Sequence, residues 1–432
     1  MTALLLLAVL AAPAGVGVGA DTLRLADIRA AAAARDPRAV RPEILDEASR
    51  LRLANLRAER LPRLALTGQA TYQDDVAALP FQLPGIDAPT PPAAQFRLQV
   101  EADQLLFDGG RLSDRHEIER ARLQEGRAEA SATLLAIREA ATEAFFGALL
   151  QQSRAEALDL GVTDLDARLA FVRARVRAGA ALASEAAALE AEMIRLRQQR
   201  DEAAAHRSAA LRVLSALTGI DAGADDVLMI PGDELAIPRP PAPARPELDR
   251  LAGARRRALA EAALARAGSL PELRLFGQAG VGRPDPFVPF SDEADVFGIV
   301  GLRLRWDLVD WGRSRRDARV AGLQARLAEL DAEAFTLALD RAAEQHGADA
   351  GRLEAGAPDD DRAIALREEV LRVARRQLEE GVLPAPDYVD RLTDLLDARL
   401  TRDRHRIELA RARAAILSSV GHFPESDRPD AP

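Results

Sequence analysis

The chain has 432 residues, a formal net charge of −10, no cysteine and only 4% aromatic residues. A negative balance without clustered cations argues against nucleic acid as a partner, and the lack of cysteine excludes disulfides and a lipidated N-terminal cysteine. Alanine is abundant and favours long helices whose axes approach closely; arginine supplies every basic side chain, since there is no lysine.

The first element in chain order is an apolar run, Leu4 to Leu10, followed by the small residues Val18-Gly19-Ala20. It reads as a secretory signal over 1–20, cut ahead of Asp21, although the usual basic start is missing. The run is too short to span a bilayer as a helix. Between Asp36 and Glu59 an alanine-rich helical pattern ends at Leu61-Pro62. Alternation with period two follows, which predicts strands at about 63–73 and 95–106: Phe96, Leu98, Val100 and Ala102 are apolar, while Arg97, Gln99, Glu101 and Asp103 are polar. The proline-rich stretch from Pro80 to Pro92 reads as an exposed hairpin loop.

After Asp108-Gly109-Gly110-Arg111 the period becomes that of a helix over about 110–178, with a turn at Gly179 and a return helix to 218. A continuous helix from Asp108 to Gly179 would rise about 105 Å, too long for an ordinary globular domain. A proline-rich linker occupies 221–245, and then the whole order is repeated over 246–424. Pro246 and Pro271 answer Pro37 and Pro62; Asp310-Trp311-Gly312-Arg313 answers Asp108 to Arg111; Gly381 and Gly421 answer Gly179 and Gly219. Strands are expected at about 272–282 and 296–308, with a second proline-rich loop from Pro284 to Pro289, a long helix at 312–380, a turn at 381 and a return helix to 420 before a tail at 425–432. In the second long helix Val320, Leu323, Leu327, Leu330, Ala334 and Leu337 step by three and four, as in a coiled coil. The segment from Gly347 to Asp361 holds Gly351, Gly356 and Pro358, and predicts a kink, bulge or short loop. The first repeat spans 21–220. Each copy thus offers two strands of roughly ten residues, the length of a tilted strand crossing a bilayer.

Two copies of helix, strand pair, long helix, glycine turn and return helix resemble the TolC family of outer-membrane efflux proteins over almost the whole mature chain. The single motifs are short; their order and spacing, repeated twice, carry the resemblance. It implies a mainly α protein with membrane β structure, a homotrimer whose subunits each give four strands to a shared 12-stranded β-barrel in outer-membrane lipid, continued by a periplasmic α-helical barrel. The strands alone make a related demand, because four cannot close a barrel and open edges are not tolerated in lipid.

The resemblance also implies partners and site residues. The turns at Gly179 and Gly381 would form the periplasmic tip, where a periplasmic adaptor (membrane fusion) protein docks and an inner-membrane pump of RND or ABC type connects; an ordinary helix C-cap would use glycine too. Asp387 and Asp390 stand where the family carries the acidic ring of its pore entrance. Their spacing of three puts both on one helix face, although a solvated first turn also favours acids. Glu185 holds the equivalent offset in the first copy. Where some members lock the tip with an arginine and a tyrosine, this chain has Leu383 and Leu378.

His116, His206, His346, His405 and His422 show no metal-ligand spacing, and no phosphate-binding glycine loop occurs. No enzyme activity, cofactor or metal is expected. The reading is a passive exit duct of a tripartite efflux or type I secretion system in the Gram-negative outer membrane. The alternative is a periplasmic coiled-coil adaptor or structural protein without a channel.

Overall fold

The computed structural model describes residues 22–75, 91–232, 235, 244–287 and 292–422. The expected signal at 1–20, the tail at 425–432, most of the first hairpin loop and parts of the 221–245 linker lie outside them.

A short strand β1 (Thr22–Leu23) leads into helix α1 (Leu25–Arg35), a 3-10 turn (Pro37–Val40) and α2 (Arg41–Ala58). Then come β2 (Arg63–Tyr72), β3 (Ala94–Phe107), the 67-residue α3 (Arg111–Arg177) and α4 (Ala183–Thr218). Strand β4 (Val227–Leu228) pairs in parallel with β1 and precedes α5 (Pro246–Ala267). The second copy continues with β5 (Glu272–Arg283), β6 (Asp295–Arg305), the 68-residue α6 (Arg313–Glu380) and α7 (Ala385–Ser419). The last strand ends at Arg305, short of the 296–308 expected from alternation, because the chain turns to prepare the start of α6.

The expected interruption of the second long helix is absent: α6 runs through Pro358 without a break. Tertiary contacts hold the segment helical against its own propensity. Ala350, Leu353 and Ile364 are buried, Arg413 pairs with Glu354 at 3.1 Å, and His405 reaches Asp360 at 2.7 Å. These bonds from α7 outweigh the lost backbone donor and ring clash of one proline.

Two compact units divide the chain, and both cut across the sequence repeat. One consists of 1–39, 133–244 and 338–432; the other consists of 40–132 and 245–337. The first is helical, with two apolar cores. Ile28, Phe145, Phe146, Leu214 and Leu417 lie in one, while Leu165, Leu169, Leu189, Leu196, Leu378 and Tyr388 lie in the other. The second unit holds α2, α5, the starts of α3 and α6, and a four-stranded antiparallel sheet in the order β2-β3-β5-β6. One hairpin from each copy builds this sheet, joined where β3 pairs with β5. No described helix is long and apolar enough to cross a membrane.

Candidate functional site

Strand register decides what the sheet presents. Leu64 faces Ala102, Leu66 faces Val100 and Ala70 faces Phe96; Leu98 faces Val281, and Val300, Leu302 and Leu304 face Gly277, Leu275 and Leu273. Because side chains alternate along a strand, all of these lie on one face. That face is apolar from β2 to β6, and it is open: Leu64, Leu66, Phe96, Leu98, Val100, Leu302 and Leu304 are exposed, and Val300 is 80% exposed. The opposite face is polar, with Gln69, Arg97, Gln99, Glu101 and Gln278. Arg274 pairs there with Asp103 at 2.6 Å, and the Arg97 guanidinium lies over the Phe297 ring. Among the described residues neither edge strand, β2 or β6, has a further neighbour.

The duplicated Asp-x-Gly-Arg motif joins sheet to helix. The carboxylate of Asp108 accepts from the N–H groups of Gly110 and Leu112, and that of Asp310 accepts from those of Gly312 and Ser314, so each aspartate caps a long helix. Hydrogen bonds from Ser314, then from the Gly312 backbone, hold the Asp310 carboxyl at about 2, below the usual 3.8. Arg111 donates to the carbonyls of Ala267, Gly268 and Leu270, which closes the end of α5, and pairs with Glu272 at 3.1 Å. The copies differ at one place. Gly109 takes φ 70° in the first and Trp311 takes φ 55° in the second. A left-handed non-glycine residue costs about 1–2 kcal/mol, and Trp311 is 86% exposed.

The α6 stripe of Val320, Leu323, Leu327, Leu330 and Leu337 is exposed, while Ala318, Ala321, Ala325 and Ala328 are buried. The helix therefore packs within the chain through its alanines, and its larger apolar residues stay exposed.

Gly179 and Gly381 have φ 71° and 77° and close their helices with the same bonds: N–H of the glycine to the carbonyl three residues back, and N–H of the next residue to the carbonyl five back. This is the Schellman end that glycine favours. The two turns differ in surroundings. A Cβ on Gly179 would meet nothing, whereas one on Gly381 would strike the Arg175 guanidinium. Arg175 donates to Leu378 O at 2.9 Å and to Ala180 O at 3.1 Å, so one side chain from α3 binds the carbonyls of both turns.

Asp387 and Asp390 are exposed in the first two turns of α7, without a hydrogen bond or ion pair among the described residues; Glu185 is half-buried in the first turn of α4. Leu378 is buried and Leu383 partly so, both in the apolar core near the turns.

Sequence reasoning missed the polar knot beside this core. Tyr388, fully buried, donates its hydroxyl to Asp164; Arg375 donates to the same carboxylate at 2.6 Å, and Arg168 reaches Glu379 at 2.7 Å. Burial first, then the Asp164 carboxylate, push the Tyr388 phenol well above its usual 10.0. More than two hundred residues separate these partners in sequence, so no local signal marks them. Among the described residues no group of three metal-ligating side chains converges.

No family model and no curated protein matches the chain. Solved structures do. CusC superposes with a TM-score of 0.74 at 15% identity, covering 92% of each chain. The Neisseria gonorrhoeae MtrE outer membrane channel gives 0.70 at 18% identity over 92% of this chain and 89% of its own, and the Campylobacter jejuni CmeC outer membrane channel gives 0.69 at 14% identity over 92% and 85%. The chain has the fold of these channel proteins, the TolC-like arrangement that its repeat suggests.

Proposed function

We propose that this protein is an outer-membrane channel: a homotrimer whose three four-stranded sheets close a 12-stranded barrel in lipid, continued by a periplasmic helical barrel. It passively conducts substrates outward as the exit duct of a tripartite efflux or type I secretion system, after export directed by residues 1–20. The observation that carries this reading is the continuous exposed apolar face on a sheet whose two edges are unpaired among the described residues. An open edge cannot remain in a bilayer, and pairing β6 of one copy with β2 of the next removes both edges at once. The exposed apolar stripe on α6 supports the same association. The likeness in fold to channel proteins agrees with it.

In this reading the polar sheet face lines the lumen. Gly179, Gly381 and Glu185 belong to the tip that an adaptor protein contacts, with an inner-membrane pump beyond it, and Asp387 and Asp390 from three copies form a cation-favouring ring at the entrance. A periplasmic adaptor without a channel would have no use for an apolar face this wide.

Expression in a Gram-negative host, membrane fractionation and planar-bilayer recording test the proposal together. The expected result is a trimer in the outer-membrane fraction that conducts ions with cation preference, reduced when Asp387→Asn and Asp390→Asn are combined. A soluble, monomeric, non-conducting mature chain overturns it.

A further inference from the structure

The sheet is polarised along its strands. At the hairpin-loop end, Asp74 and Asp75 follow β2, Asp285, Asp292 and Glu293 stand between β5 and β6, and Asp295 opens β6. The helical end is basic: residues 303–319 carry six arginines against three aspartates, in a chain whose net charge is −10. Three of the basic side chains nearby, Arg266, Arg315 and Arg319, line a single cleft of about 530 Å³ between the end of α5 and the start of α6. None of the three has an ion pair among the described residues. The ionised carboxylate of Asp310 also borders the cleft while it caps α6, so three guanidinium groups stand there against one carboxylate. That excess of positive charge leaves the guanidinium groups repelling one another and favours a bound anion.

The surface beside the cleft is apolar and aromatic. Trp306, Leu308, Val309 and Trp311 are all exposed, and these two are the only tryptophans of the chain. Trp306 is oriented by donating its indole N–H to Ser269 O at 3.0 Å. Trp311 stands in a left-handed conformation at a place the first copy fills with glycine, so a large aromatic group is kept there against its backbone preference. Tryptophan beside arginine at the end of a membrane strand is the chemistry of a bilayer interface, with rings at headgroup depth and guanidinium groups on phosphate.

We propose that the link from β6 to α6 is a lipid-binding collar: Trp306 and Trp311 seat in the headgroup layer of the periplasmic leaflet, and Arg266, Arg315 and Arg319 hold the phosphate of an anionic glycerophospholipid. The proposal rests on the membrane reading above and adds a specific ligand to it. Charge favours lipid over a second copy as the occupant. Closing the barrel would bring the start of β2 next to the end of β6, and residues 57–63 carry Arg57, Arg60 and Arg63 against Glu59. That surface is itself basic and needs the same anion.

Because both tryptophans belong to the collar, intrinsic fluorescence reports on it without mutation. The full-length protein is reconstituted into vesicles of phosphatidylcholine, with or without one third phosphatidylglycerol, the bromine label being on either lipid and either near the headgroup or near the chain end. The expected result is quenching strongest for shallow bromine, at least twofold stronger when the label is on phosphatidylglycerol, and a lipid preference lost in Arg315→Gln with Arg319→Gln. Unquenched emission from protein that conducts ions overturns the collar and leaves the channel standing, with a second copy as the cover. Equal quenching by both lipids in the unmodified protein removes the phosphate recognition. Failure to insert at all overturns the channel reading and the collar with it.

Discussion

The helical unit and the sheet unit draw on one alanine- and arginine-rich composition, yet they finish their burial differently. In the helical unit Phe145, Leu165, Leu214 and Leu417 reach complete or near-complete burial within the chain, and the Asp164 carboxylate takes hydrogen bonds from both Arg375 and Tyr388 inside it. In the sheet unit Leu64, Leu66, Leu98, Val100, Leu275, Val300, Leu302 and Leu304, drawn from all four strands, remain open, along with the stripe on α6. The first is a packed interior made by one polypeptide. The second leaves apolar surface open, and in the channel reading proposed above lipid would cover the face of the four-stranded sheet and further copies its edges. Exposed apolar area, rather than total apolar content, separates the two roles.

The largest effect is expected where a charge enters the open face. Val300→Arg should cost about 2–4 kcal/mol per subunit at mid-bilayer depth and remove the protein from the outer-membrane fraction. Gln278→Arg, in the neighbouring strand but on the polar face opposite Glu101, should leave fractionation intact. Equal behaviour of the two variants would break the assignment of faces.

An intermediate effect belongs to the helical unit. Asp164→Ala leaves the Arg375 guanidinium and the buried Tyr388 hydroxyl without their shared acceptor, a loss of about 2–4 kcal/mol that should appear as faster hydrogen exchange at the start of α7, with membrane insertion unchanged. The same knot gives this unit an alkaline limit. The folded state raises the Tyr388 phenol above its ordinary 10.0, so the folded form holds its proton more tightly than the unfolded one. The resulting stability is complete below pH 10 and declines as pH rises beyond that value towards the folded-state one. Thermal unfolding followed between pH 8 and 11 should show the decline, and Tyr388→Phe should abolish it.

The smallest effect compares the two turns. Gly179→Ala and Gly381→Ala both force a left-handed alanine, about 1–2 kcal/mol each. Only at 381 does the new methyl also displace Arg175 from Leu378 O and Ala180 O, which adds about 1 kcal/mol. Thermal shifts of the paired variants measure the difference, and equal shifts would remove Arg175 as the bridge between turns.

Much of the architecture was legible because its signals are local and occur twice. Alternation through Phe96, Leu98 and Val100 fixed a strand and its greasy face, since a period of two admits no other arrangement. The Asp-x-Gly-Arg motif marked where strand gives way to helix, and an aspartate that caps two N–H groups explains why. The glycines at 179 and 381 stood where only a left-handed residue closes the helix. The candidate site was legible as positions, Asp387 and Asp390 on one face of α7 and a glycine at each turn, and not as contacts.

Tertiary structure decided the rest, because the deciding energies arise between residues far apart in sequence. It joined β3 to β5 and so merged the two repeats into one sheet, while its compact units cut across them. It paired β1 with β4 through two residues each, too short for any periodicity to reveal. It carried α6 straight through Pro358 on bonds from α7, gathered Asp164, Arg375 and Tyr388 from three helices, and turned the apolar stripe of α6 away from the chain's own interior. Local sequence determined which elements form and which faces are apolar; long-range packing determined which of those faces the chain covers itself and which it leaves open.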